Sequence, residues 1–286
     1  MSDVFLLMKW PLIASLLLPW LLVYLGLHIV QRGVIFVDLA LAQTAAFGTC
    51  ISLLFGYDVH DWGSYAFSLG FTFVGAALLT FTRTRHQRVP QEALIGIVYV
   101  VAAAASILVL SKSAGGNEEL QRSLVGELLL VTPGEVMKTF ALFVAVGVAH
   151  FIFRRKFLAI SADPQKAAAS GLNVRWWDFL FYMLFGLVVT SFVHIGGVLL
   201  VFSYLVVPAV CAGYLANSVL TRFMIGWGIA TVCSVSTLFL TAKLDFPIGA
   251  AMVCIFGLAL VLVTLLYRLF LRRPGHDDQP VTTARH

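Results

Sequence analysis

Long apolar segments separated by short polar stretches make up almost the whole chain. They lie near residues 10–30, 34–55, 63–82, 92–110, 135–153, 176–194, 196–216, 222–241 and 246–271. A helix needs about 20 apolar residues to cross roughly 30 Å of hydrocarbon, and each segment has about that length. The pattern therefore predicts an all-α, polytopic membrane bundle of about nine transmembrane segments. Eight are possible, because the stretch 176–216 is the hardest to divide.

One polar island, residues 157–175, interrupts the apolar pattern. Within it, Asp163 is placed to cap a helix that begins at Pro164 and stops at Gly171. A helix this short is marginal in water, because nucleation costs more than a few hydrogen bonds return. The alanine run 167–169 gives it a smooth face. We therefore expect a surface that docks a partner, the alternative being an ordinary, well-capped loop between two spans.

The basic residues are distributed unevenly between the two sides of the predicted bundle. Alternate connections hold fourteen of the 19 Lys and Arg residues, and the other set holds only Lys9, Lys112, Arg122, Lys138 and Lys243. Since Lys and Arg accumulate on the cytoplasmic side, the N-terminus is predicted outside and the C-terminus inside. The net charge of +5 then reflects topology, so we expect no nucleic-acid partner.

Composition leaves no room for a separate soluble domain. The chain of 286 residues is 60% hydrophobic and 12% charged, whereas soluble proteins are about 25% charged. We predict one transmembrane domain, residues 1–273, followed by a polar, disordered cytoplasmic tail, residues 274–286.

The apolar run that starts soon after Lys9 is interpreted as the first span, because no signal-peptide cleavage site precedes a mature domain. The four cysteines lie inside apolar segments without a Cys-x-x-Cys pair, which argues against a disulfide framework or a structural zinc site.

Two connections on the predicted outer side carry recognisable features. Asp58 and Asp61 flank His60, an arrangement that could attract a divalent cation or a basic protein surface, or could simply be solvated. Residues 120–131 are amphipathic enough to lie along the membrane interface or to dip into the bundle. Thr132 and Glu135 then form a predicted capping box with Pro133 at the first helical position, which fixes the start of the fifth span.

Four short motifs extend over most of the chain. In chain order they are Gln91-Glu-Ala-Leu-Ile-Gly96, then Asp163, Pro164, Ala167 and Gly171 of an Asp-Pro-x-x-Ala-x-x-x-Gly pattern, then Gly197-Val-Leu-Leu-Val with Pro208-Ala209, and Asp245-Phe-Pro-Ile-Gly-Ala250. Each motif is weak alone, but together, and in this order, they resemble those of the zinc, manganese and iron ABC importer permeases.

The resemblance implies the membrane permease of an ABC importer for divalent metal ions. Such a permease works in a bacterial inner or plasma membrane as a homodimer, with two ATPase subunits and an extracytoplasmic metal-binding protein. The island 157–175 would be its coupling segment, which sits in a groove of the ATPase and relays the nucleotide-driven closure of the ATPase to the membrane domain. We assign that contact to Asp163, Pro164, Ala167, Ala168 and Gly171. The metal is then cargo and this chain binds no cofactor. ATP belongs to the partner, and the sequence has no Gly-Lys-Ser/Thr phosphate loop.

The second span departs from the family pattern. In the family this helix carries an Asp and, four residues later, a His implicated in the metal path; counted from Arg32 and Gly48, these positions hold Leu39 and Gln43. Asp38 lies one residue away, which is about 100° around a helix, so it should face elsewhere unless the helix is distorted. Near the cytoplasmic end it could instead reach the interface or pair with Arg32. Asp38 and Gln43 are therefore path candidates, and no metal ligand is assigned.

Two further path candidates lie in the stretch 176–216. His194 precedes Gly196 and Gly197 near the predicted outer side, where a neutral imidazole suits zinc, manganese or iron, although a hydrogen-bonded interfacial role is also open. Pro208 should kink or break its helix, because it removes a backbone hydrogen bond.

Two other functions stay open at this point. A permease for metal chelates would have a wider path with fewer ligands. An ion-coupled secondary transporter should show charged pairs at mid-membrane and internal repeats, neither of which the sequence displays.

Overall fold

The computed structural model describes residues 2–59, 61–82, 90–111, 131–244 and 246–271, and every regular element in this part of the chain is helical. The helices are α1 (Ser2–Leu17), α2 (Pro19–Arg32), α3 (Val37–Leu54), α4 (Trp62–Thr82), α5 (Gln91–Leu110), α6 (Pro133–Ala162), α7 (Pro164–Ala169), α8 (Val174–Leu215), α9 (Val219–Leu244) and α10 (Ile248–Leu266), with a π-helical turn at Tyr267–Leu271. The predicted all-α membrane bundle is confirmed.

Within the described residues, eight helical stretches are long and apolar enough to cross a membrane, and the first of them, Lys9–Arg32, is formed by α1 and α2 in succession. The predicted segments 176–194 and 196–216 are the two limbs of α8, which is 42 residues long and has a non-helical residue at Gly197, φ 72° and ψ 168°. The eight-helix count therefore contains the nine predicted segments, two of them in one bent helix.

The break in α8 lies at Gly197, and Pro208 keeps helical backbone angles, so the helix is not broken at Pro208. Glycine has no Cβ and can adopt positive φ without a steric penalty, whereas proline favours φ near −65°, which a helix accepts. Pro208 is buried where α8 passes close to α9, and a Cβ at Gly226 would meet the Pro208 carbonyl.

Helix α8 is the centre of the bundle. It packs against α2, α3, α4, α6, α9 and α10. In its most apolar stretch of 18 residues, 83% of the residues are buried, against 22% in the corresponding stretches of α5 and of the last span. Gly26 of α2 lets the helices touch, because a Cβ there would overlap the Leu205 carbonyl. The outer helices expose apolar side chains, as expected of surfaces that face lipid or another membrane subunit.

Both ends of α8 lie beside the C-terminal end of α2, which the charge pattern predicts to be cytoplasmic. Asp178, near the start of α8, contacts Arg32 at the end of α2. Arg222, in the first turn of α9, donates through Nε to the carbonyl of Ala216, the C-cap of α8, and lines a cavity together with Gln31 and Leu158. Because the chain enters and leaves this helix at the same end of the bundle, α8 makes two passes.

The predicted capping box at the start of α6 is confirmed. Glu135 N–H donates to Thr132 Oγ1 at 3.3 Å, and Thr132 N–H donates to the Glu135 carboxylate at 2.8 Å. His60, Asp245, most of the interfacial segment 120–131 and the tail 274–286 lie outside the described residues.

Candidate coupling segment and translocation path

The short helix α7 is closed at both ends by the residues that the sequence indicates. The Asp163 carboxylate accepts hydrogen bonds from the backbone N–H groups of Gln165 and Lys166, each at 3.0 Å, and Pro164 occupies the first turn. The bond from Lys166 is the main cause that holds the pKa of Asp163 below its ordinary value, so the cap stays ionised at neutral pH. The predicted start of the helix is confirmed.

The C-terminal stop at Gly171 is confirmed as well. Gly171 has φ 86°, and its N–H donates to the Ala168 carbonyl at 3.0 Å, while Leu172 N–H donates to the Ala167 carbonyl at 3.2 Å. This pair of bonds is the Schellman arrangement, which satisfies the last carbonyls of a helix. The helix ends at Ala169 with Ser170 as its cap, one residue earlier than Gly171.

The alanine run does not present one uniform face. Ala167 is only 4% exposed and packs into the protein, whereas Ala168 is half-buried and Ala169 is exposed. Gln165 and Lys166 are also exposed. Ala167 therefore holds α7 on the bundle, and the surface open to a partner consists of Gln165, Lys166, Ala168 and Ala169. This narrows the predicted docking face.

A buried polar network lies directly behind α7, and the sequence reasoning missed it. Arg32 donates through Nη1 to Asp178 Oδ1 at 2.7 Å and through Nε to Ser161 Oγ at 2.8 Å. Ser161 Oγ also lies 2.9 Å from Nδ1 of His28. The Arg32 guanidinium stacks over the ring of Phe181, 3.8 Å from its centroid. The signal in the sequence was Asp178, an ionisable residue inside a predicted span, which requires a partner.

Asp38 is buried in the first turn of α3 and does not pair with Arg32, so the interface and ion-pair alternatives for it are wrong. The residue is 1% exposed, and its Oδ1 accepts the Leu39 N–H at 2.8 Å. Among the described residues, its Oδ2 has no hydrogen-bond partner. Arg32 is instead directed toward α8, where Asp178 neutralises it.

Glu92 ties the start of α5 to the turn between α2 and α3. Its Oε1 accepts the backbone N–H of Ile35 at 2.5 Å. The other carboxylate oxygen is buried and has no partner in the described part of the chain. Glu92 therefore has a specific structural contact in addition to a favourable position near the start of its helix.

Gln43 is buried on α3, away from the Asp38 face. It is 2% exposed, and its Oε1 has no partner within the described ranges. Helix α3 runs without interruption from Val37 to Leu54, so five residues separate Asp38 and Gln43 by about 140° around its axis. No distortion of α3 brings Asp38 to the Gln43 face.

His194 lies three residues before the bend in α8, far along the bundle from Asp38. Its side chain is exposed, its Nδ1 lies 2.8 Å from the Thr190 carbonyl, and its ring is 5.8 Å from that of Tyr65 near the start of α4. The start of α4 packs beside the end of α3, where Ser64 and Ser52 are hydrogen-bonded at 2.9 Å. Asp38 lies at the other end of α3, so the structure separates these two path candidates.

The titratable side chains are not gathered into a metal-binding cluster in the part of the chain that the structure describes. No group of three or more His, Cys, Asp or Glu side chains there is placed to hold a metal ion. What α3 and α5 offer at their starts, which the charge pattern predicts to be cytoplasmic, is a small number of buried oxygen atoms, those of Asp38 and Glu92, with Gln43 further along α3.

Comparison with known proteins agrees with this architecture. The manganese transport system membrane protein MntC of Listeria innocua is 28% identical over 231 residues, which cover 81% of this chain and 80% of that protein. The structure of PsaBC from Streptococcus pneumoniae in complex with Fab aligns with a TM-score of 0.75 at 21% identity and covers 90% of each chain. A structure described as an inward-facing metal-chelate type ABC transporter aligns with a TM-score of 0.69 at 19% identity, covering 94% of this chain and 90% of its own. Residues 4–267 match the ABC 3 transport family, and the chain is a multi-pass membrane protein of that family.

Proposed function

We propose that this chain is the permease subunit of an ABC importer for divalent metal ions. Two copies form the membrane part, two ATPase subunits bind on the cytoplasmic side, and an extracytoplasmic metal-binding protein delivers the cargo. ATP is bound and hydrolysed by the partner subunits. The N-terminus lies outside and the C-terminus inside.

Helix α7 is the observation that carries this proposal. It is six residues long, capped at both ends and anchored through Ala167, yet most of its remaining side chains are exposed. A helix of this length gains little stability from its own hydrogen bonds, so its two caps and its anchor are what fix its position. A rigid projection at the cytoplasmic end of the bundle is what an ATPase subunit needs in order to move the membrane helices.

Divalent metal is supported as the cargo by the motifs and by the manganese system to which the MntC relative belongs. The chemistry of α3 and α5 agrees with it. Buried carboxylate and amide oxygens suit hard cations such as Mn²⁺. A path built from a few such atoms binds an ion weakly enough to release it, which conduction requires.

A metal-chelate permease has the same fold, and the structural similarity to a transporter described as of that type leaves it as the second candidate. An ion-coupled secondary transporter is less well supported. Its charged pairs belong at mid-membrane, whereas the buried pair Arg32–Asp178 lies at the end of α2 beside α7.

Reconstitution decides among these functions. The permease would be co-expressed with its ATPase and binding protein, placed in liposomes, and supplied with free Mn²⁺, Zn²⁺ or Fe²⁺, or with the same metals in a chelate. Uptake of a free ion that requires ATP and continues with ionophores present supports the proposal. Uptake of chelate alone would favour the second candidate, and uptake abolished by ionophores would favour a secondary transporter.

A further inference from the structure

The buried network behind α7 joins both sides of the coupling segment to one side chain. Ser161 lies two residues before Asp163, the N-cap of α7, and Asp178 lies in the first turns of α8, after the segment. Arg32 binds both of them, at 2.8 Å and 2.7 Å. The segment between Ser161 and Asp178 is therefore closed into a loop whose two ends meet at the Arg32 guanidinium.

This arrangement is costly if its only purpose is stability. The side chains of Arg32 and Asp178 are each 1% exposed, and removing two charges from water opposes their attraction. A planar guanidinium binds two partners in fixed directions, which a flexible ammonium does not do. Stacking on Phe181 holds its plane in place. The network is therefore suited to fixing relative positions.

On its other side, Arg32 leads directly to the helices that carry the path candidates. It is the last residue of α2 and is followed by Gly33, which caps the helix with φ 67°. The turn that follows is held by the bond from Ile35 N–H to Glu92 at the start of α5, and α3 with Asp38 begins two residues later. Arg32 thus lies between the coupling segment and the cytoplasmic starts of both α3 and α5.

We propose that Arg32 is the positioning residue that transmits movement of the coupling segment to α3 and α5. When an ATPase displaces α7, Ser161 and Asp178 move with it, and Arg32 moves as well because it is hydrogen-bonded to both. Since the turn after Arg32 is fixed to Glu92, α3 and α5 follow as one body. This inference rests on the proposed function, because it concerns how ATP hydrolysis on a partner moves the cargo path.

The test is the ratio of metal taken up to ATP hydrolysed by the reconstituted complex, with free Mn²⁺ as the probe. Arg32→Lys keeps the positive charge beside Asp178 but cannot hold Ser161 and Asp178 in the same geometry. We expect ATP hydrolysis to continue while the ratio falls by at least about fivefold, the lower end of coupling between linked sites. The matched control is Arg155→Lys, at an exposed arginine on α6 outside the coupling segment, and it should behave like the wild type.

A merely structural role predicts a different result, in which less complex assembles but its ratio of uptake to hydrolysis is unchanged. That result, with a wild type that transports, would overturn the relay alone. If Arg32→Lys does not assemble, Ser161→Ala decides, because it removes one bond to Arg32 without removing a charge and should lower the same ratio by a smaller factor. An unchanged ratio in Ser161→Ala would likewise overturn the relay. A wild-type complex that does not transport metal would overturn the proposed function, and the relay with it.

Discussion

The rings of Phe192 and Tyr204 are in edge-to-face contact, with centroids 5.6 Å apart, although twelve residues separate them within one helix, α8. In a straight helix their Cα atoms would be about 18 Å apart along the axis. The contact is possible because the chain bends at Gly197, between the two rings. Tyr204 is also hydrogen-bonded to Ser234 of α9 at 2.6 Å. The bend therefore places the first limb of α8 beside α4, where Thr72 and Thr190 are hydrogen-bonded, and the second limb beside α9 and α10, while α2 contacts both limbs.

The backbone at Gly197 leads to a stability prediction. Its angles, φ 72° and ψ 168°, are close to a region that only glycine occupies readily. Gly197→Ala should therefore lower the free energy of unfolding by about 1–3 kcal/mol. Thermal unfolding of the purified protein in detergent measures this. Gly213→Ala is the matched control, because Gly213 lies in the same helix with open space for a Cβ, and it should leave stability equal or slightly higher. Equal melting temperatures for the two variants would contradict the role of the bend.

The exposed side of α7 leads to a prediction about assembly. Ala168→Arg adds bulk and charge at a half-buried position and leaves the caps at Asp163 and Gly171 intact. Membrane insertion should be normal, while copurification of the ATPase and ATP-driven uptake should both fall, because contact through small side chains requires close approach. Ala168→Ser is the control and should behave like the wild type. Normal uptake by Ala168→Arg would show that the partner does not dock here.

Membrane orientation is tested by labelling single cysteines in a background without the four native ones. Ser161 is a poor site for such a label because it is only 3% exposed. Gln165→Cys and Asn217→Cys are exposed positions at the end of the bundle predicted to be cytoplasmic, and Asp58→Cys is exposed at the other end. In intact cells an impermeant thiol reagent should modify Asp58→Cys alone. Modification of Gln165→Cys would reverse the whole predicted orientation.

The path candidates on α3 lead to a prediction about bound metal. The buried amide oxygen of Gln43 is a weak ligand for a divalent ion, so the purified wild type should retain little metal. Gln43→His should increase the retained metal and slow its release, because imidazole binds these ions better. Asp38→Asn should change the amount of retained metal little, because the wild type retains little metal that could be lost. Elemental analysis of the three proteins measures this. Stoichiometric metal in the wild type that is lost in Asp38→Asn would identify Asp38 as a ligand.

The sequence by itself determined the features that depend on neighbouring residues. The spans follow from the length of apolar runs, because a segment must satisfy its backbone internally to cross hydrocarbon. The caps at Asp163, Gly171 and Thr132 follow from side chains and turns within a few residues of each helix end. These are local interactions, so they could be predicted without knowing which helices are neighbours.

Only the tertiary structure decided which partner each buried group has. The sequence favours Asp38 as the partner of Arg32, because only six residues separate them. In the structure Arg32 binds Asp178 instead, 146 positions away. Ala167 and Ala168 are adjacent residues of the same type, yet only Ala167 is turned toward the bundle. Pro208 marks a potential break, but α8 bends at Gly197, where the angles fit only glycine and the bend brings Phe192 to Tyr204. In each case the choice depends on contacts between helices that are distant in the chain, and local propensity carries no information about them.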